Sequence, residues 1–289
     1  MSSTALGDDG VFDAHHHLWD TRVLEYRLFR DVPELDRPFL LADFEHEARS
    51  LGVTGSLWVE AASAGADGAR ELEWVSGHLA GTEFVEGLVA YVALERAGSE
   101  LDRVLDRPDP PVVGVRRSFE FEEPDFPRRS EIVRGARLVG ERGLIVDLVL
   151  FPPALPGVLG LVDACPDTLF VLDHLGKPQI MRRGWEPWAS QLRELSKRPN
   201  LAAKLSGLTT EADRATWAPG DLKPYVEHAL ETFGPDRLLY GSDWPVLEQA
   251  GGHRRWLETL TCLLSSLTAA ERQGILSRNA RRIYFHAGR

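Results

Sequence analysis

Cysteine is scarce in this sequence: Cys165 and Cys262 are the only two among 289 residues. Two thiols cannot build a disulfide framework or a cysteine-rich zinc site, which predicts a protein of the reducing cytoplasm. A run of Lys and Arg residues is also missing, and the net charge is −11. We therefore expect neither a nucleic acid nor an anionic membrane as a partner. A small-molecule substrate remains, including an anionic one if a few arginines gather locally.

Long apolar stretches are absent as well. No segment approaches the roughly 20 apolar residues that a membrane helix needs, and the chain does not open with a basic region followed by an apolar run. We expect no membrane segment and no signal peptide. The patterns GxGxxG, GxxxxGK(S/T) and GxSxG are missing too. Their absence argues against nucleotide binding and against serine-hydrolase chemistry.

Short apolar or β-branched runs do occur, and they alternate with longer amphipathic segments along the whole chain. The runs predict eight strands, at residues 11–17, 53–60, 84–92, 112–118, 144–150, 168–174, 201–205 and 237–241. The longer segments predict helices at residues 42–51, 67–79, 99–106, 130–141, from the Pro-rich FPPALPG to about 165, 185–197, 221–233, 253–265 and 269–285. Eight β/α units in this length predict an α/β protein with a (β/α)8 barrel of the TIM type.

An open, doubly wound sheet is the alternative to the barrel. Such sheets usually carry a glycine-rich phosphate loop after the first strand, where this chain has histidines. No linker rich in Gly, Ser or Pro divides the sequence, so we predict one domain over residues 1–289, with residues 1–10 as a flexible tail. The sequence leaves the oligomeric state open, and a homo-oligomer is compatible with it.

The segment VFDAHHHLWD ends the first predicted strand with three histidines. Residues two apart on a strand point to the same face, so His15 and His17 can aim their rings at one point while His16 is turned towards the helices. A histidine run can also be a remnant of cloning, but this one is short and lies between apolar residues of the strand. We interpret His15 and His17 as a functional pair.

Polar side chains also end other predicted strands, and the active sites of (β/α)8 barrels lie at the C-terminal ends of their strands. The candidates are Glu60, Arg116 and Arg117, His174, Lys204 and Ser206, and Asp243. Each has a structural alternative. Glu60 could be a solvated strand end, one of the two adjacent arginines must face outward because neighbours alternate, and Lys204 could be a salt-bridge partner.

Imidazoles and a carboxylate gathered at one point are good ligands for a divalent ion, with zinc the first choice. A bound ion lowers the pKa of water and polarises a carbonyl. Without an ion, imidazole N–H groups can still polarise a carbonyl while a carboxylate takes the proton from attacking water. In both cases Asp243 is the expected general base. An ester or lactone is an easier target than an amide, since an alkoxide leaves more readily than an amine anion.

The segments DAHHHLWD, VLDHLGKP, KLSGLTTEAD and LLYGSDWPV resemble motifs of the amidohydrolase superfamily, over residues 11–284. Within it, the chain resembles the branch with L-fuconolactonase, L-rhamnono-lactonase and pyrone-dicarboxylate lactonase. This resemblance implies a hydrolase that opens a lactone ring, with a sugar lactone as the expected substrate. The superfamily's carboxylated lysine on strand four and histidine on strand five have no counterpart here. The departure implies one metal ion or none.

By motif position, the resemblance implies that His15, His17, His174 and Asp243 are the ligands of any metal. It also implies that Asp243 and His174 act in catalysis and that Arg116, in Gly-Val-Arg, binds substrate. We further expect Lys204, Glu60 and Trp19 to shape the substrate pocket, with Trp185 and Trp244 as further aromatic candidates. Simple packing is the alternative for each tryptophan.

Two other functions compete with lactone hydrolysis. A zinc-dependent decarboxylase of aromatic or muconate-type acids has the same barrel, a His-x-His pair and a late aspartate. The KLSGLTTEA segment favours the lactonase branch. A barrel that only binds a metal or ligand is the second competitor, and the joint presence of His174 and Asp243 argues against it.

Overall fold

The computed structural model describes residues 9–26, 32–61, 66–106 and 109–286. Its parallel strands are β1 (Val11–His16), β2 (Val53–Val59), β3 (Val85–Tyr91), β4 (Val112–Ser118), β5 (Ile145–Val149), β6 (Phe170–Leu172), β7 (Leu201–Leu205) and β8 (Leu238–Tyr240). They pair in the order in which they occur in the chain. The predicted (β/α)8 barrel is confirmed, and the predicted strands differ from these by two residues or fewer at either end.

The described helices are α1 (Leu41–Ser50), α2 (Ala66–Leu79), α3 (Ala97–Leu105), α4 (Ser130–Glu141), α5 (Leu155–Ala164), α6 (Trp188–Leu195), α7 (Leu208–Glu211), α8 (Pro219–Phe233), α9 (Gly252–Leu263), α10 (Ala269–Gln273) and α11 (Asn279–His286). The short helix α7 was not predicted. The single helix predicted for 269–285 is wrong in one respect: a π-helical turn, Gly274–Arg278, separates α10 from α11. None of the described helices has the length and apolar character needed to cross a bilayer.

Closure of the barrel depends on residues just beyond strand β8. The amide of Asp243 donates to the carbonyl of His15 at 2.8 Å, and the amide of His17 donates to the carbonyl of Trp244 at 2.7 Å. The segment after β8 therefore continues along β1 without forming a regular ladder. This seam brings Asp243 beside the histidine pair.

Apolar side chains cover both faces of the barrel sheet, as expected for parallel strands that are buried on both faces. They form one region inside the barrel and one outside it. The inner region receives side chains from every strand: Phe12, Leu57, Val89, Val113, Ile145, Val171, Ala202 and Leu239. Helix α11 closes its lower end with Ile283 and Tyr284. A second, larger region lies between the barrel and the surrounding helices. The polar layer above the inner region is where the candidate site lies.

The prediction of one domain over residues 1–289 stays a prediction. Of the predicted tail at 1–10, residues 1–8 lie outside the described residues, as do residues 27–31 of the loop after β1.

Candidate active site

A local irregularity in β1 sets the direction of the histidines. The pairing of β1 with β2 shifts between Asp13 and His16. There the carboxylate of Asp13 accepts hydrogen bonds from the amides of His15, at 3.0 Å, and Ser242, at 2.8 Å. Burial raises the pKa of Asp13 to about 7. The carboxylate thus ties the bulged strand to the segment after β8.

His16 faces away from the barrel axis, as predicted. Its ring stacks on Phe44 of α1 with 3.9 Å between ring centroids, and its Nε2 lies 3.1 Å from the hydroxyl of Ser56. These contacts belong to the packing between β1 and the helices. The prediction that His16 faces the helices is confirmed.

Three ligand atoms converge at the C-terminal end of the barrel. The Nε2 atoms of His15 and His17 are 3.2 Å apart, and Oδ1 of Asp243 lies 3.7 Å from the first and 3.3 Å from the second. Donors that bind zinc tetrahedrally at about 2.0–2.1 Å are about 3.3 Å from one another. The separations and the chemistry of this donor set therefore fit a small divalent ion.

The second ring nitrogens of the site histidines are also engaged. Nδ1 of His17 lies 2.8 Å from the carbonyl oxygen of Val59, and Nδ1 of His174 lies 2.8 Å from the hydroxyl of Ser206. Nε2 of His174 is 4.0 Å from Oδ1 of Asp243. Partners of this kind fix the ring orientation of metal-binding or catalytic histidines. The structure brings together all four predicted ligand residues.

Two of these residues are held in left-handed backbone conformations. Asp243 has φ 65° and His174 has φ 54°, and both values are uncommon outside glycine. Such strain persists where the surrounding structure enforces it and is frequent at functional sites. Next to His174, Gly207 has φ 64°, and a Cβ atom there would lie 2.6 Å from Nδ1 of His174. The ring of His174 occupies space that only a glycine at 207 leaves free.

Burial and neighbouring groups set the charge states of Asp243 and His174, the two candidate catalytic residues. Burial by itself raises the pKa of Asp243, but interactions with His174 and a hydrogen bond with His17 hold it well below its usual range. Burial lowers the pKa of His174 to about 4, although Asp243 opposes the shift. At neutral pH the carboxylate is ionised and the imidazole of His174 is neutral.

Below these groups, Arg116 bridges two carboxylates. Its Nε donates to Oε1 of Glu60 at 2.7 Å, a second nitrogen donates to the carbonyl of Glu60, and Nη1 donates to Oδ2 of Asp173 at 3.2 Å. Nη1 is also 3.4 Å from Nε2 of His15. Glu60 is buried, so it is not a solvated strand end. Arg117 is the arginine that faces outward, where it pairs with Glu95 and Glu122.

Lys204 lies deeper still and has no exposed surface. Its Nζ is 2.5 Å from Oδ2 of Asp147, 2.9 Å from Oδ1 of Asp173 and 3.2 Å from Nδ1 of His15. The hydroxyl of Tyr284 donates to the other oxygen of Asp147 at 2.6 Å. Lys204 therefore lies where the alternative interpretation, a salt-bridge partner, would place it. Its position does not support the predicted contact with substrate.

Comparison with known proteins identifies the family of this chain. The profile of a family described as amidohydrolase matches residues 12–285. The chain belongs to the amidohydrolase family. It is 30% identical to an L-fucono-1,5-lactonase of Burkholderia multivorans, over 94% of this chain and 95% of the relative. A 2-pyrone-4,6-dicarboxylate hydrolase of Comamonas testosteroni is 29% identical over 54% of this chain and 52% of its own.

One solved structure is similar to almost the whole amidohydrolase chain. It is an amidohydrolase from Burkholderia multivorans with bound zinc, with a TM-score of 0.88 and 26% identity. The alignment covers 95% of this chain and 98% of that structure.

The tryptophans of this amidohydrolase differ in their relation to the site. Trp19 is fully buried, and its Nε1 donates to the carbonyls of Leu35, at 3.1 Å, and Arg37, at 3.0 Å. Trp244 is buried against α1, with its Nε1 3.3 Å from Glu47. Both placements match packing, and the substrate contact of Trp19 stays a prediction. Trp185 is 38% exposed and lies against Trp188 of α6.

Charged groups that follow the strand ends lie near the site and interact electrostatically with Asp243. Nζ of Lys177 lies 2.5 Å from Oε1 of Glu120 and 5.3 Å from the centroid of the Phe151 ring. Interaction with Lys177 lowers the pKa of Glu120 against the effect of burial, whereas burial raises the pKa of Glu211. Both carboxylates are close enough to Lys177 to interact with it electrostatically. Sequence reasoning did not single out Lys177, Glu120 or Glu211.

Asp173 is the most important residue that sequence reasoning missed. It directly precedes His174, so strict alternation would place the two on opposite faces. Strand β6 instead ends at Leu172, and the left-handed turn from His174 onward lets both side chains reach the site. Tyr284 was not identifiable, since nothing local distinguishes it from any aromatic residue of a C-terminal helix.

Proposed function

We propose that this amidohydrolase opens a lactone ring by adding water to its carbonyl carbon. The observation that carries the proposal is the convergence of the two imidazole Nε2 atoms and the Asp243 carboxylate within 3.7 Å. Similarity to named lactone hydrolases supports it. As relatives at about 30% identity, they support the reaction class more strongly than the particular substrate.

In the proposed reaction, Asp243 takes a proton from the attacking water. Its carboxylate is ionised at neutral pH and lies 3.3 Å from Nε2 of His17, so a water molecule next to this pair can donate a hydrogen bond to the carboxylate. Neutral His174, whose ring is oriented by Ser206, is placed to donate to the oxyanion or to the leaving oxygen. Arg116 borders the same point with Nη1 and supplies positive charge.

His15, His17, Asp243 and His174 would hold a divalent ion, for which zinc is the first choice on donor type. When bound, such an ion supplies Lewis acidity that lowers the pKa of its water and polarises a carbonyl.

We propose that the lactone is uncharged, as an aldonolactone is. Among the described residues, the carboxylates around the site are Asp243, Asp173, Asp147, Glu60, Glu120 and Glu211, against the cations Arg116, Lys177 and Lys204. All three cations are already paired with carboxylates. An anionic lactone would enter a site of net negative charge, which opposes its binding. A neutral, hydroxyl-rich ring finds hydrogen-bonding partners at Lys177 and Glu120.

A panel of neutral aldonolactones, a pyrone dicarboxylate lactone and aromatic acids tests the proposal, with acid release and carbon dioxide measured separately. We expect acid release from at least one neutral lactone and none of the carbon dioxide that a decarboxylase would form. Asp243→Asn should lower kcat by at least about 10³-fold while the protein stays folded. The control is Asp163→Asn, which removes an exposed carboxylate paired with Arg198. Near-normal turnover of Asp243→Asn would contradict the assignment of the base.

We further propose a cytoplasmic location, because one of the two free thiols, Cys262, is exposed. A role in carbohydrate breakdown follows only if the substrate is a sugar lactone. Size-exclusion chromatography with light scattering will test whether the protein forms a homo-oligomer.

A further inference from the structure

A cleft of about 610 Å³ lies between the loop that follows β6 and the segment that follows β7. Both segments start at the candidate active site. The first begins at His174, and the second begins at Ser206, whose hydroxyl lies 2.8 Å from Nδ1 of His174. Glu211 lines the cleft and is close enough to Asp243 to interact with it electrostatically. The cleft therefore begins beside the candidate catalytic residues.

A second cleft, of about 490 Å³, adjoins the first, and the two share Met181, Ala212 and Asp213. Trp185 and Tyr225 also line the second cleft, with 5.5 Å between the centroids of their rings. Pockets that hold drug-sized ligands have volumes of about 300–1,000 Å³. The first cleft is therefore large enough for a whole ring beyond the lactone that reacts.

Exposed apolar side chains are concentrated on the face of the barrel that carries the site. Among the residues that the structure describes, the exposed large hydrophobic side chains all follow the C-terminal ends of strands: Val23, Phe121, Phe151, Met181 and Trp185. Phe151 and Met181 line the first cleft. Apolar surface exposed beside an active site indicates a ligand with an apolar face.

The first cleft also offers hydrogen-bonding groups, but its formal charges cancel. Arg182 and Arg214 line it together with Glu211 and Asp213. Within the described part of the chain, the side chains of Gln179 and Arg182 have no hydrogen bond or ion pair with another protein group. An anion gains no net attraction there, and an alkyl chain would remove water from these donors without replacing its hydrogen bonds. A sugar ring, with one apolar face and a rim of hydroxyl groups, uses both kinds of lining.

We infer that the first cleft is a subsite for a second sugar unit, so that the lactone substrate carries a glycosyl group on the side away from its carbonyl. Phe151 and Met181 pack against the apolar face of that unit, and Gln179 and Arg182 donate to its hydroxyl groups. The inference rests on the proposed lactone hydrolysis, because it names the class of substrate for the same site. That class is the lactones of disaccharide aldonic acids.

Binding to the cleft can be measured without any lactone. The chain has two methionines, Met1 and Met181, so the methyl group of Met181 is a specific probe of the cleft. Full-length protein with ¹³C-methyl methionine is titrated with cellobiose, maltose, lactose and melibiose, and with glucose, the reducing unit that all four contain. The signal lost in Met181→Leu identifies the probe.

We expect at least one disaccharide to shift the Met181 signal with a Kd at least about tenfold below that of glucose, since the second ring buries additional surface. If none of the four disaccharides shifts this signal, or if glucose binds as tightly as they do, the inference is wrong.

A variant that fills the cleft tests its location. Ala215 is exposed and lines the cleft, so the indole of Ala215→Trp would occupy it without entering the core. We expect the disaccharide-induced shift of Met181 to be lost. The ratio of kcat/KM for the disaccharide lactone to that for gluconolactone should fall at least about tenfold, because the second ring loses its contacts. The matched control is Ala269→Trp, at an exposed alanine of α10, which should keep both the shift and the ratio.

An unchanged shift in folded Ala215→Trp would overturn the assignment of the cleft, and if this variant fails to fold, the titration of the wild type decides. Failure of the subsite is distinguishable from failure of the proposed reaction. If a disaccharide shifts Met181 but no lactone releases acid, the proposed reaction is wrong and the sugar subsite stands. If a single-ring lactone is opened but no disaccharide shifts Met181, the reaction stands and the subsite is wrong.

Discussion

The contact between Gly207 and the ring of His174 allows a sharp prediction. Gly207 has φ 64°, and a Cβ atom placed on it would lie 2.6 Å from Nδ1 and 2.7 Å from Cγ of His174. Real Cβ atoms do not approach other atoms so closely, so Gly207→Ala must displace the ring. The hydrogen bond of 2.8 Å between Nδ1 and the hydroxyl of Ser206 should then be lost.

Two separate costs follow from this substitution. A left-handed alanine costs about 1–2 kcal/mol of folding free energy, wherever it stands. Displacing a catalytic ring by about 1 Å can lower kcat/KM by about 10²-fold. The first cost appears in the unfolding midpoint, and the second appears in the activity on whichever lactone the panel identifies.

Gly81→Ala is the matched control, because Gly81 has φ 83° and a Cβ there would have no neighbour within 4 Å. It should show a similar loss of thermal stability and wild-type kcat/KM. Wild-type activity in Gly207→Ala would refute the reasoning, because it would mean that the ring of His174 need not be where the structure has it. An equal loss of activity in Gly81→Ala would trace the effect to backbone strain.

Three further predictions concern the two adjacent arginines of β4, the outward-facing histidine of β1 and a buried histidine of α9. Arg116→Met should abolish activity, whereas Arg117→Met should lower only the free energy of unfolding, by about 1–2 kcal/mol, because Arg117 faces outward; steady-state kinetics and urea unfolding separate the two. His16→Gln should keep at least half of the wild-type kcat/KM, since its ring only packs on α1, and a large loss would contradict the assignment. Burial lowers the pKa of His253 from 6.5 to about 3. Between pH 3 and pH 6.5 the unfolded state therefore binds a proton at this histidine that the folded state does not. Its contribution to the free energy of unfolding is complete well above pH 6.5 and falls with acidification, by roughly 3 kcal/mol at pH 4.5. Urea unfolding at pH 7 and pH 4.5 should show a smaller difference for His253→Phe than for the wild type.

The fold was predictable because its signal is local and repeated. Each strand is a short apolar run and each helix is amphipathic, and eight repeats of that unit admit few architectures. The helix prediction is wrong where the amphipathic pattern runs on without a break but the backbone changes from one helix type to another. The segment 269–285 has one helical pattern, and the π-helical turn at Gly274–Arg278 interrupts it where the segment packs against β1 and β8.

The sequence was also sufficient to predict on which strand ends the site residues lie. His15, His17, His174 and Asp243 were expected at strand ends, because the ends of parallel strands meet on one face of a barrel. The distances among them were not predictable. They depend on the bulge at Asp13 and on the hydrogen bonds that join Asp243 to the carbonyl of His15 across the seam.

The sequence by itself determined the barrel, the set of polar strand ends and the pairing of His15 with His17, because strand periodicity and chain order are enough for these. Only the tertiary structure decided which arginine faces the site, that Asp173 belongs to it, and that Lys204 lies beneath His15. The hydrogen bond between Lys204 and His15 joins residues 189 positions apart, and the one between Tyr284 and Asp147 joins residues 137 apart. Whether a buried polar side chain donates or accepts depends on such distant partners, which no local pattern encodes.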